Sequence, residues 1–446
     1  MSNYVDRCIQ MCIEKNPGEV EFHQTVEEVL SSLRPVMEQH PEYEKAAILE
    51  RLTEPERGIT FRIVWVDDAG KVQVNKGYRY QFNGAIGPFK GGIRFAPTVY
   101  PGIMKFLGFE QIFKNSLTGL PIGGGKGGAD FDPSGKSDGE VMRFCQAFMT
   151  ELYRHIGPET DVPAGDLGVG AREIGYMFGQ YRKIVNRFEG VLTGKGLTWG
   201  GLNGRTEATG YGIVYYANAM LEANKDKIAG KRVAISGFGN VSWGTAAKLT
   251  ELGAKLITIS GPDGYILDEA GIWGEKIDYM LELRNSGKNI CAPYAEKFPE
   301  AKFFKGKKPW EVQADLYIPC ATQNEILIDD AKTIVANGTK YVCEGSNMSS
   351  SNEAIKYLQD NGVVVGPSKA ANAGGVACSA IEMGQNGAKT VYSPEQVHAQ
   401  LKEIMYGIHD ACEKASREYG FGYNLVAGAN IAGFLKVAKA MMEQGL

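Results

Sequence analysis

The segment KRVAISGFGNVSWG, residues 231–244, joins an apolar strand to a glycine-rich turn and a following helix. A second apolar strand, Leu256–Ser260, completes a βαβ unit of ordinary length. In such a unit the first glycine permits a tight turn, the second lets the backbone approach a pyrophosphate, and the free N–H groups at the helix start face that anion. Ser242 replaces the third glycine and is small enough for close packing. The predicted dinucleotide site comprises Gly237, Phe238, Gly239, Asn240 and Val241.

The rest of the C-terminal half repeats the same pattern of a strand followed by a helix. Short apolar runs end in small or polar residues and are followed by helical periodicity. Alternation of strand and helix predicts a parallel, doubly wound Rossmann-type sheet. The predicted strands are Arg232–Ser236, Leu256–Ser260, Leu316–Pro319, Tyr341–Cys343 and Val363–Val365.

The N-terminal half has a different pattern. Apolar residues recur at helical spacing from Val26 to Val36, and Pro35 predicts a kink or break in that helix. The alternating run Ile59–Val66, a polar turn and a second run through Phe82 predict a β-hairpin. A helix-like segment, Ile431–Met442, lies beyond the strand series. We therefore expect an α/β protein of two domains.

Composition excludes several classes of function. The 446 residues are 43% apolar and 22% charged, and the net charge of −4 offers no basic excess for nucleic acid or anionic lipid. No apolar run reaches the length of a membrane span. The eight cysteines contain no CxxC pair and only five histidines accompany them, so we expect neither a metal site nor a disulfide framework. A soluble, reduced, cytoplasmic protein is predicted.

A cationic region interrupts this acidic chain between Gly84 and Gly128. Lys90 and Lys126 lie inside glycine runs, which we interpret as loops that let a small ligand approach both amine and backbone. In the helix Phe106–Leu117, Gln111 and Lys114 share a face and could clamp a carboxylate. The pattern predicts an anionic substrate. One acid, Glu110, accompanies five basic residues there: Lys90, Arg94, Lys105, Lys114 and Lys126.

Two carboxylates, Asp161 and Asp166, lie in a Gly/Pro-rich stretch that we interpret as a loop. A carboxylate held near a lysine can shuttle protons when its surroundings tune it, although an aspartate in such a stretch, taken alone, is more often a turn residue.

The loop after the second Rossmann strand bears on the choice of cofactor. A ribose 2′-hydroxyl favours an acidic acceptor there, whereas a 2′-phosphate favours basic or small donor groups. The loop reads GPDGY, residues 261–265, with Asp263 and no basic residue. It favours NAD, although a lysine from elsewhere could still reach a 2′-phosphate.

Several long motifs make the chain similar to the small-subunit hexameric glutamate dehydrogenases of bacteria, in the Glu/Leu/Phe/Val dehydrogenase superfamily. The resemblance runs along essentially the whole chain. Its motifs include GPFKGGIRF (87–95), LPIGGGKGGADFDP (120–133), DVPAGDLGVGAREIGYM (161–177), SGFGNVSWG (236–244) and SKAANAGGVACSAIEM (368–383).

This resemblance implies reversible oxidative deamination of L-glutamate to 2-oxoglutarate and ammonia with a nicotinamide cofactor. It implies that Lys126 polarises the carbonyl and activates water, and that Asp166 transfers protons at the amino group. The α-carboxylate would be held by Lys114, Gln111 and the backbone at Gly165, and the side-chain carboxylate by Lys90 and Ser379. Thr209, Asn240 and Asn347 would contact the cofactor.

The resemblance also implies a homohexamer. The substrate-binding and oligomerisation domain would span residues 1–199, rejoined by 424–446, and the dinucleotide domain residues 200–423. Related leucine, valine and phenylalanine dehydrogenases place an apolar residue where Lys90 stands, so Lys90 favours a dicarboxylate. Two alternatives are an NADP-linked or dual-specificity biosynthetic glutamate dehydrogenase and a catalytically inactive nucleotide-binding regulatory protein. Joint retention of Lys126, Asp166 and Lys90 argues against the inactive form.

Overall fold

A computed structural model describes residues 4–205 and 207–445 of the chain. The fold divides into two compact units. The first comprises residues 1–203, 376–397 and 430–446, and the second residues 204–375 and 398–429.

The first unit combines helices with a five-stranded mixed sheet. Helix α2 ends just before Pro35, where the sequence predicts a break. The elements are α1 (Tyr4–Lys15), α2 (Val20–Ser32), α3 (Arg34–Gln39), α4 (Pro41–Lys45), α5 (Ile48–Leu52), β1 (Arg57–Val66), β2 (Val72–Asn83), β3 (Phe89–Phe95), α6 (Pro101–Leu117), β4 (Gly123–Ala129), α7 (Asp138–Leu152), β5 (Asp161–Gly165) and α8 (Ala171–Val185).

The strand order in this sheet is β1-β2-β4-β3-β5. Strands β1 and β2 form the predicted antiparallel hairpin, and β4 lies between β2, to which it is antiparallel, and β3, to which it is parallel. Strand β5 continues the parallel part beside β3. The glycine runs around Lys90 and Lys126, and Asp161, therefore lie in adjacent strands and not in loops. The interpretation as loops was wrong because strand pairing in the sheet overrides the low strand propensity of glycine.

The second unit contains the predicted doubly wound sheet. Its elements are α9 (Ala208–Ala223), β6 (Arg232–Ile235), α10 (Asn240–Glu251), β7 (Lys255–Gly261), β8 (Gly264–Leu267), α11 (Glu275–Asn285), α12 (Pro293–Lys297), β9 (Lys302–Lys305), β10 (Leu316–Ile318), α13 (Ile328–Ala336), β11 (Tyr341–Cys343), α14 (Asn352–Asp360), β12 (Val364–Gly366) and α15 (Ser368–Ala371).

The order of strands in this sheet is β12-β11-β10-β6-β7-β8-β9. The five predicted strands pair in parallel, while β8 and β9 add an antiparallel edge that the sequence did not predict. Strands β7 and β8 are joined by the two residues Pro262 and Asp263, so the segment after the second Rossmann strand is a tight hairpin turn.

The chain ends with α16 (Gly374–Ala388), α17 (Pro394–Glu418) and α18 (Leu425–Gln444). Among the described residues, one helix, α18, is long enough and apolar enough to cross a membrane, judged by length and composition alone. However, 61% of its most apolar window is buried inside the protein, which is typical of a core helix. Gly433 of α18 packs against Phe113 of α6.

The predicted domain ranges, 1–199 with 424–446 and 200–423, differ from the two units chiefly at residues 376–397. This segment belongs to the first unit because its polar side chains bind there. Glu382 accepts hydrogen bonds from the backbone of Gly194 and Lys195, and Gln385 donates to the Gly201 carbonyl. Residues 1–3 and 446, at the ends of the predicted ranges, lie outside the described residues.

Candidate active site

Lys126 and Asp166 form an ion pair in the first unit. Lys126 projects from β4, and its Nζ lies 3.2 Å from Oδ2 of Asp166, which directly follows β5. Arg94, near the end of β3, donates from Nε to the same oxygen at 2.7 Å. The Lys126 side chain is 4% exposed and that of Asp166 is 21% exposed. Three adjacent strands thus place two cations around one carboxylate that solvent and small molecules can still reach.

Burial and charge tune this cluster in opposite directions. Burial lowers the pKa of the Lys126 ammonium, and the opposing charge of Asp166 does not restore it to the usual range. Burial alone would raise the pKa of Asp166, but the charges of Lys126 and Arg94 hold it well below its usual range. Asp166 is therefore ionised while Lys126 carries its charge, and Lys126 gives up its proton more readily than an exposed lysine. A lysine of this kind can act as a base.

Glycine is required where the strands that carry these groups approach one another. A Cβ at Gly92 would lie 2.7 Å from Cβ of Asp166 and 3.2 Å from Nζ of Lys126, in the space where the pair meets. A Cβ at Gly91 would overlap the carbonyl oxygen of Gly125 on the neighbouring strand. The glycine runs therefore serve close packing between β3 and β4.

A second buried ion pair supports the same strands. The Arg79 Nε atom donates to Asp161 at 2.8 Å, and Gln81 donates to the same carboxylate at 3.0 Å. Both members of the Arg79–Asp161 pair are fully buried, and Arg79 also donates to the Gly91 carbonyl at 3.2 Å. Asp161 is thus a structural residue, in contrast to Asp166.

Lys90 is deeply buried on β3. Its Nζ donates to the hydroxyl of Thr193 at 2.8 Å. Asn115 of α6 donates to the Lys90 carbonyl at 3.0 Å, and its Oδ1 accepts a hydrogen bond from Gln111 at 2.6 Å. Asn115 therefore connects the predicted carboxylate-binding helix to the strand that carries Lys90.

The other predicted substrate residues lie in the same unit. Lys114 follows Gln111 on α6 and is half-buried, and Gly165 ends β5 immediately before Asp166. Ser379 is buried on α16. Lys105 does not join the predicted cationic region, because its Nζ donates to Asn16 and Glu19.

In the second unit, the β6–α10 turn has the shape that a dinucleotide requires. Gly237 has φ +77°, and a Cβ there would lie 2.6 Å from Oγ of Ser242, the residue in the third glycine position. Gly239, where no atom lies within 4 Å of an added Cβ, precedes the first residues of α10, Asn240 and Val241. Open space beside the first turn of a twelve-residue helix suits a pyrophosphate.

Other polar groups continue this site. Thr209 lies near the start of α9, with Oγ1 2.5 Å from the position of an added Cβ on Gly375. Asn372 donates to Asn347 Oδ1 at 2.9 Å and to the Gly345 carbonyl at 3.2 Å. Because a carbonyl only accepts, the Asn372 nitrogen must face Gly345, and its buried Oδ1 is left without a hydrogen-bond partner. This unused acceptor beside Asn347 fits a ligand with N–H or O–H donors.

Asp263 lies in the β7–β8 turn, where its carboxylate binds backbone. It accepts from the N–H of Cys291 at 2.9 and 3.1 Å and from that of Ala292 at 2.9 Å. A Cβ on Gly261 would lie 2.6 Å from Asp263 and 2.9 Å from the ring of Phe238, so Asp263 and the glycine-rich turn meet at the end of β7. Asp263 is therefore held in place by backbone donors of residues 291 and 292.

The sequence prediction missed three residues of this arrangement. Arg94 lies within the motif GPFKGGIRF, but the sequence indicates only its positive charge and not its contact with Asp166. No sequence pattern indicates the contacts of Asn115 and Thr193 with Lys90. Within the described residues, no group of three or more His, Cys, Asp or Glu side chains is placed to hold a metal ion.

Two models of known protein families match the chain, one in each half. Residues 200–445 match the model for Glutamate/Leucine/Phenylalanine/Valine dehydrogenase, and residues 55–183 match the Glu/Leu/Phe/Val dehydrogenase dimerisation domain. The chain belongs to this dehydrogenase family.

Within this family, the chain is similar to individual proteins that are named glutamate dehydrogenases. The chain is 62% identical to the NAD-specific glutamate dehydrogenase of Clostridium symbiosum, with 100% of both chains covered. It is 52% identical to the NADP-specific glutamate dehydrogenase of Escherichia coli K12, covering 97% of this chain and 96% of the relative. A solved structure of a glutamate dehydrogenase superimposes with a TM-score of 0.98 at 61% identity, covering 100% of both chains.

Proposed function

We propose that this chain catalyses the reversible oxidative deamination of L-glutamate to 2-oxoglutarate and ammonia, with NAD as the preferred hydride acceptor. The observation that carries the proposal is the buried cluster in which Lys126, with a lowered pKa, lies 3.2 Å from the carboxylate of Asp166. A protein that only binds nucleotides has no use for this proton-transfer pair in its other unit.

The chemistry divides between these two residues. In the forward direction the α-carbon loses a hydride and the resulting imine is hydrolysed by water. Neutral Lys126 would accept a proton from that water, and its ammonium form would then polarise the carbonyl oxygen. Asp166 would exchange a proton with the departing or arriving amino nitrogen. Arg94 holds the Asp166 carboxylate in place.

The substrate carboxylates would be held by the remaining residues of the first unit. Lys114, Gln111 and the backbone at Gly165 would bind the α-carboxylate, and Lys90 and Ser379 the side-chain carboxylate. A substrate carboxylate would form a charge-assisted hydrogen bond with the Lys90 ammonium that an aliphatic side chain cannot form, so Lys90 favours a dicarboxylic amino acid in this position.

The second unit fits a nicotinamide dinucleotide, which when bound supplies the hydride acceptor. Gly237 to Val241 would hold the pyrophosphate, Thr209 would contact the cofactor, and Asn347 would lie near the nicotinamide ribose. The carboxylate of Asp263, at the end of β7, repels a 2′-phosphate and so favours NAD. An NADP-linked or dual-specificity enzyme is the second candidate, supported by the 52% identity to an NADP-specific relative.

Steady-state kinetics with the purified protein test this proposal. We expect turnover of L-glutamate with NAD, and a higher kcat/KM with NAD than with NADP. Turnover with NADP alone would identify the second candidate. Nucleotide binding without turnover of any amino acid would identify an inactive regulatory protein and refute the proposal.

We also propose a homohexamer located in the cytoplasm. The β1–β2 hairpin presents exposed valines at the edge of its sheet, namely Val64, Val66, Val72 and Val74, which suits a contact with another copy. The eight cysteines are buried as free thiols, as suits a reducing compartment. Light scattering at several concentrations should give six times 48.5 kDa, and a monomer mass would refute the assembly. Cell fractionation tests the location.

A further inference from the structure

A buried ion pair in the first unit has no part in the chemistry described above. Lys195 Nζ donates to Oε1 of Glu382 at 2.7 Å, and the two side chains are 1% and 0% exposed. Glu382 also accepts from the backbone N–H of Gly194 at 2.9 Å and of Lys195 at 3.3 Å. Because a buried ion pair is often no more stabilising than apolar side chains of similar volume, its contribution to stability is a weak reason for its presence.

The backbone N–H groups that Glu382 binds, at residues 194 and 195, belong to the short loop that also contains Thr193. The loop is attached to β5 on its other side, through a hydrogen bond from Thr193 N to the Pro163 carbonyl at 3.0 Å. Between these two attachments the buried Thr193 hydroxyl accepts the 2.8 Å hydrogen bond from Lys90. Glu382 therefore fixes one side of the loop that holds the Lys90 ammonium.

Glu382 also lies on the helix that carries Ser379. The two residues are three positions apart on α16 and therefore share a face of the helix. One carboxylate thus ties the helix segment that carries Ser379 to the loop that carries Thr193.

We infer that Glu382 is a positioning residue for substrate selectivity: by clamping residues 194–195 it holds Thr193, and through it Lys90, in the orientation that receives a side-chain carboxylate. The inference rests on the proposed function, because it assigns Lys90 to that carboxylate. Because its side chain is 0% exposed, Glu382 would act through the loop and not by contacting the substrate. Its loss should weaken discrimination between dicarboxylic and aliphatic amino acids without removing the proton-transfer pair.

Two substitutions of Glu382 weaken the clamp in different ways, one with and one without the charge that pairs with Lys195. In Glu382→Asp the flexible Lys195 side chain can follow the shortened carboxylate, but the backbone N–H groups cannot. In Glu382→Gln the length is kept and the charge is lost. Thr193→Val removes the hydrogen bond to Lys90 and leaves the clamp intact. The matched control, Asp268→Asn, breaks the buried Lys276–Asp268 pair of the second unit, which has the same 2.7 Å separation.

The experiment measures kcat and KM for L-glutamate and L-norvaline with NAD, thermal unfolding, and hydrogen exchange of the peptide containing residues 190–199. Both Glu382 variants should lower kcat/KM for glutamate about tenfold, mainly through KM, because one hydrogen bond to a charged group is misaligned. Norvaline kinetics should change little, and exchange at 194–195 should accelerate. Thr193→Val should give the same loss of selectivity without faster exchange, and Asp268→Asn should lower only the melting temperature.

An equal loss for both substrates in the Glu382 variants would overturn the inference and leave a structural role. If neither Glu382 variant folds, Thr193→Val decides: an unchanged glutamate-to-norvaline ratio overturns the inference, and a reduced ratio supports it. A wild-type protein without glutamate activity would refute the proposed function itself. A wild type that prefers glutamate, with variants of unchanged selectivity, would refute only the role of Glu382.

Discussion

Replacement of Asp166 by Asn tests the proposed proton transfer most directly. The substitution keeps the size of the side chain and one oxygen acceptor, but removes the negative charge that lies 3.2 Å from Lys126. At that separation, and with an effective dielectric constant of about 20, the lost Coulomb attraction is roughly 5 kcal/mol. The pKa of Lys126 should therefore fall further, since burial already lowers it and Asp166 opposes that effect. The turnover number should fall about 10²-fold or more, the usual scale for a lost acid–base group.

The assay compares kcat as a function of pH in wild type and Asp166→Asn, alongside NAD titration and unfolding in urea. The pH limb governed by Lys126 should move to lower pH in the variant, and NAD affinity should be unchanged. Because the folded-state pKa of Asp166 is lowered, its stabilising effect is complete above an unfolded pKa of about 3.9 and is lost as pH falls toward the folded value. The difference in unfolding free energy between the two proteins should therefore shrink below about pH 4.

Asp67→Asn is a suitable control, because Asp67 accepts backbone hydrogen bonds in the β1–β2 turn and has no part in the proposed chemistry. It should leave kcat unchanged. A turnover number for Asp166→Asn within a few-fold of wild type, together with the expected loss of stability, would show that the carboxylate is only a structural partner of Arg94 and Lys126.

Substitutions at three further positions probe the other assignments. Lys126→Ala should remove most of the turnover while NAD titration stays normal, and near-normal turnover would contradict the catalytic role. Lys90→Leu should lower kcat/KM for glutamate and raise the norvaline-to-glutamate ratio, since an apolar surface replaces the ammonium; unchanged relative values would show that Lys90 faces no carboxylate. Asp263→Lys should raise kcat/KM for NADP and lower that for NAD, with the NADP gain shrinking as salt is added. The control Asp263→Asn keeps an acceptor for the Cys291 N–H, so it separates the effect of the charge from that of the local structure. An unchanged ratio of kcat/KM for NADP to that for NAD in Asp263→Lys would mean that the carboxylate only binds the backbone at 291–292.

The parallel core of the second unit could be predicted because each of its strands is a short apolar run followed by a helix. The antiparallel edge could not. Strands β8 and β9 are four residues each, and β9 reads KFFK, with a burial pattern that is exposed at both ends. The turn between β7 and β8 has only two residues, so its Pro and Asp read as an ordinary loop.

The site was predictable in its residue types but not in its connections. Glycine runs around lysines indicated a small-ligand site, yet their place in a sheet depends on pairing with distant strands. Arg94 and Asp166 are 72 positions apart, and Lys90 and Thr193 are 103 apart, so no local pattern links them. Nothing in the sequence around Thr193 indicates a contact with Lys90. That contact depends on the loop that is attached to Glu382 on one side and to β5 on the other.

The glycine-rich strand β4 limits how this enzyme could be altered by directed evolution. A methyl group at Gly124 would lie 2.8 Å from the backbone nitrogen of Ile112, and one at Gly91 would overlap the carbonyl of Gly125. A mutant library across residues 123–129 should therefore yield mostly misfolded proteins, and few variants with new substrates. Productive diversity is confined to positions whose side chains we propose to contact the substrate, such as Lys90 and Ser379. Libraries for new amino-acid specificity should be built there and at Thr193, with the glycines left unchanged.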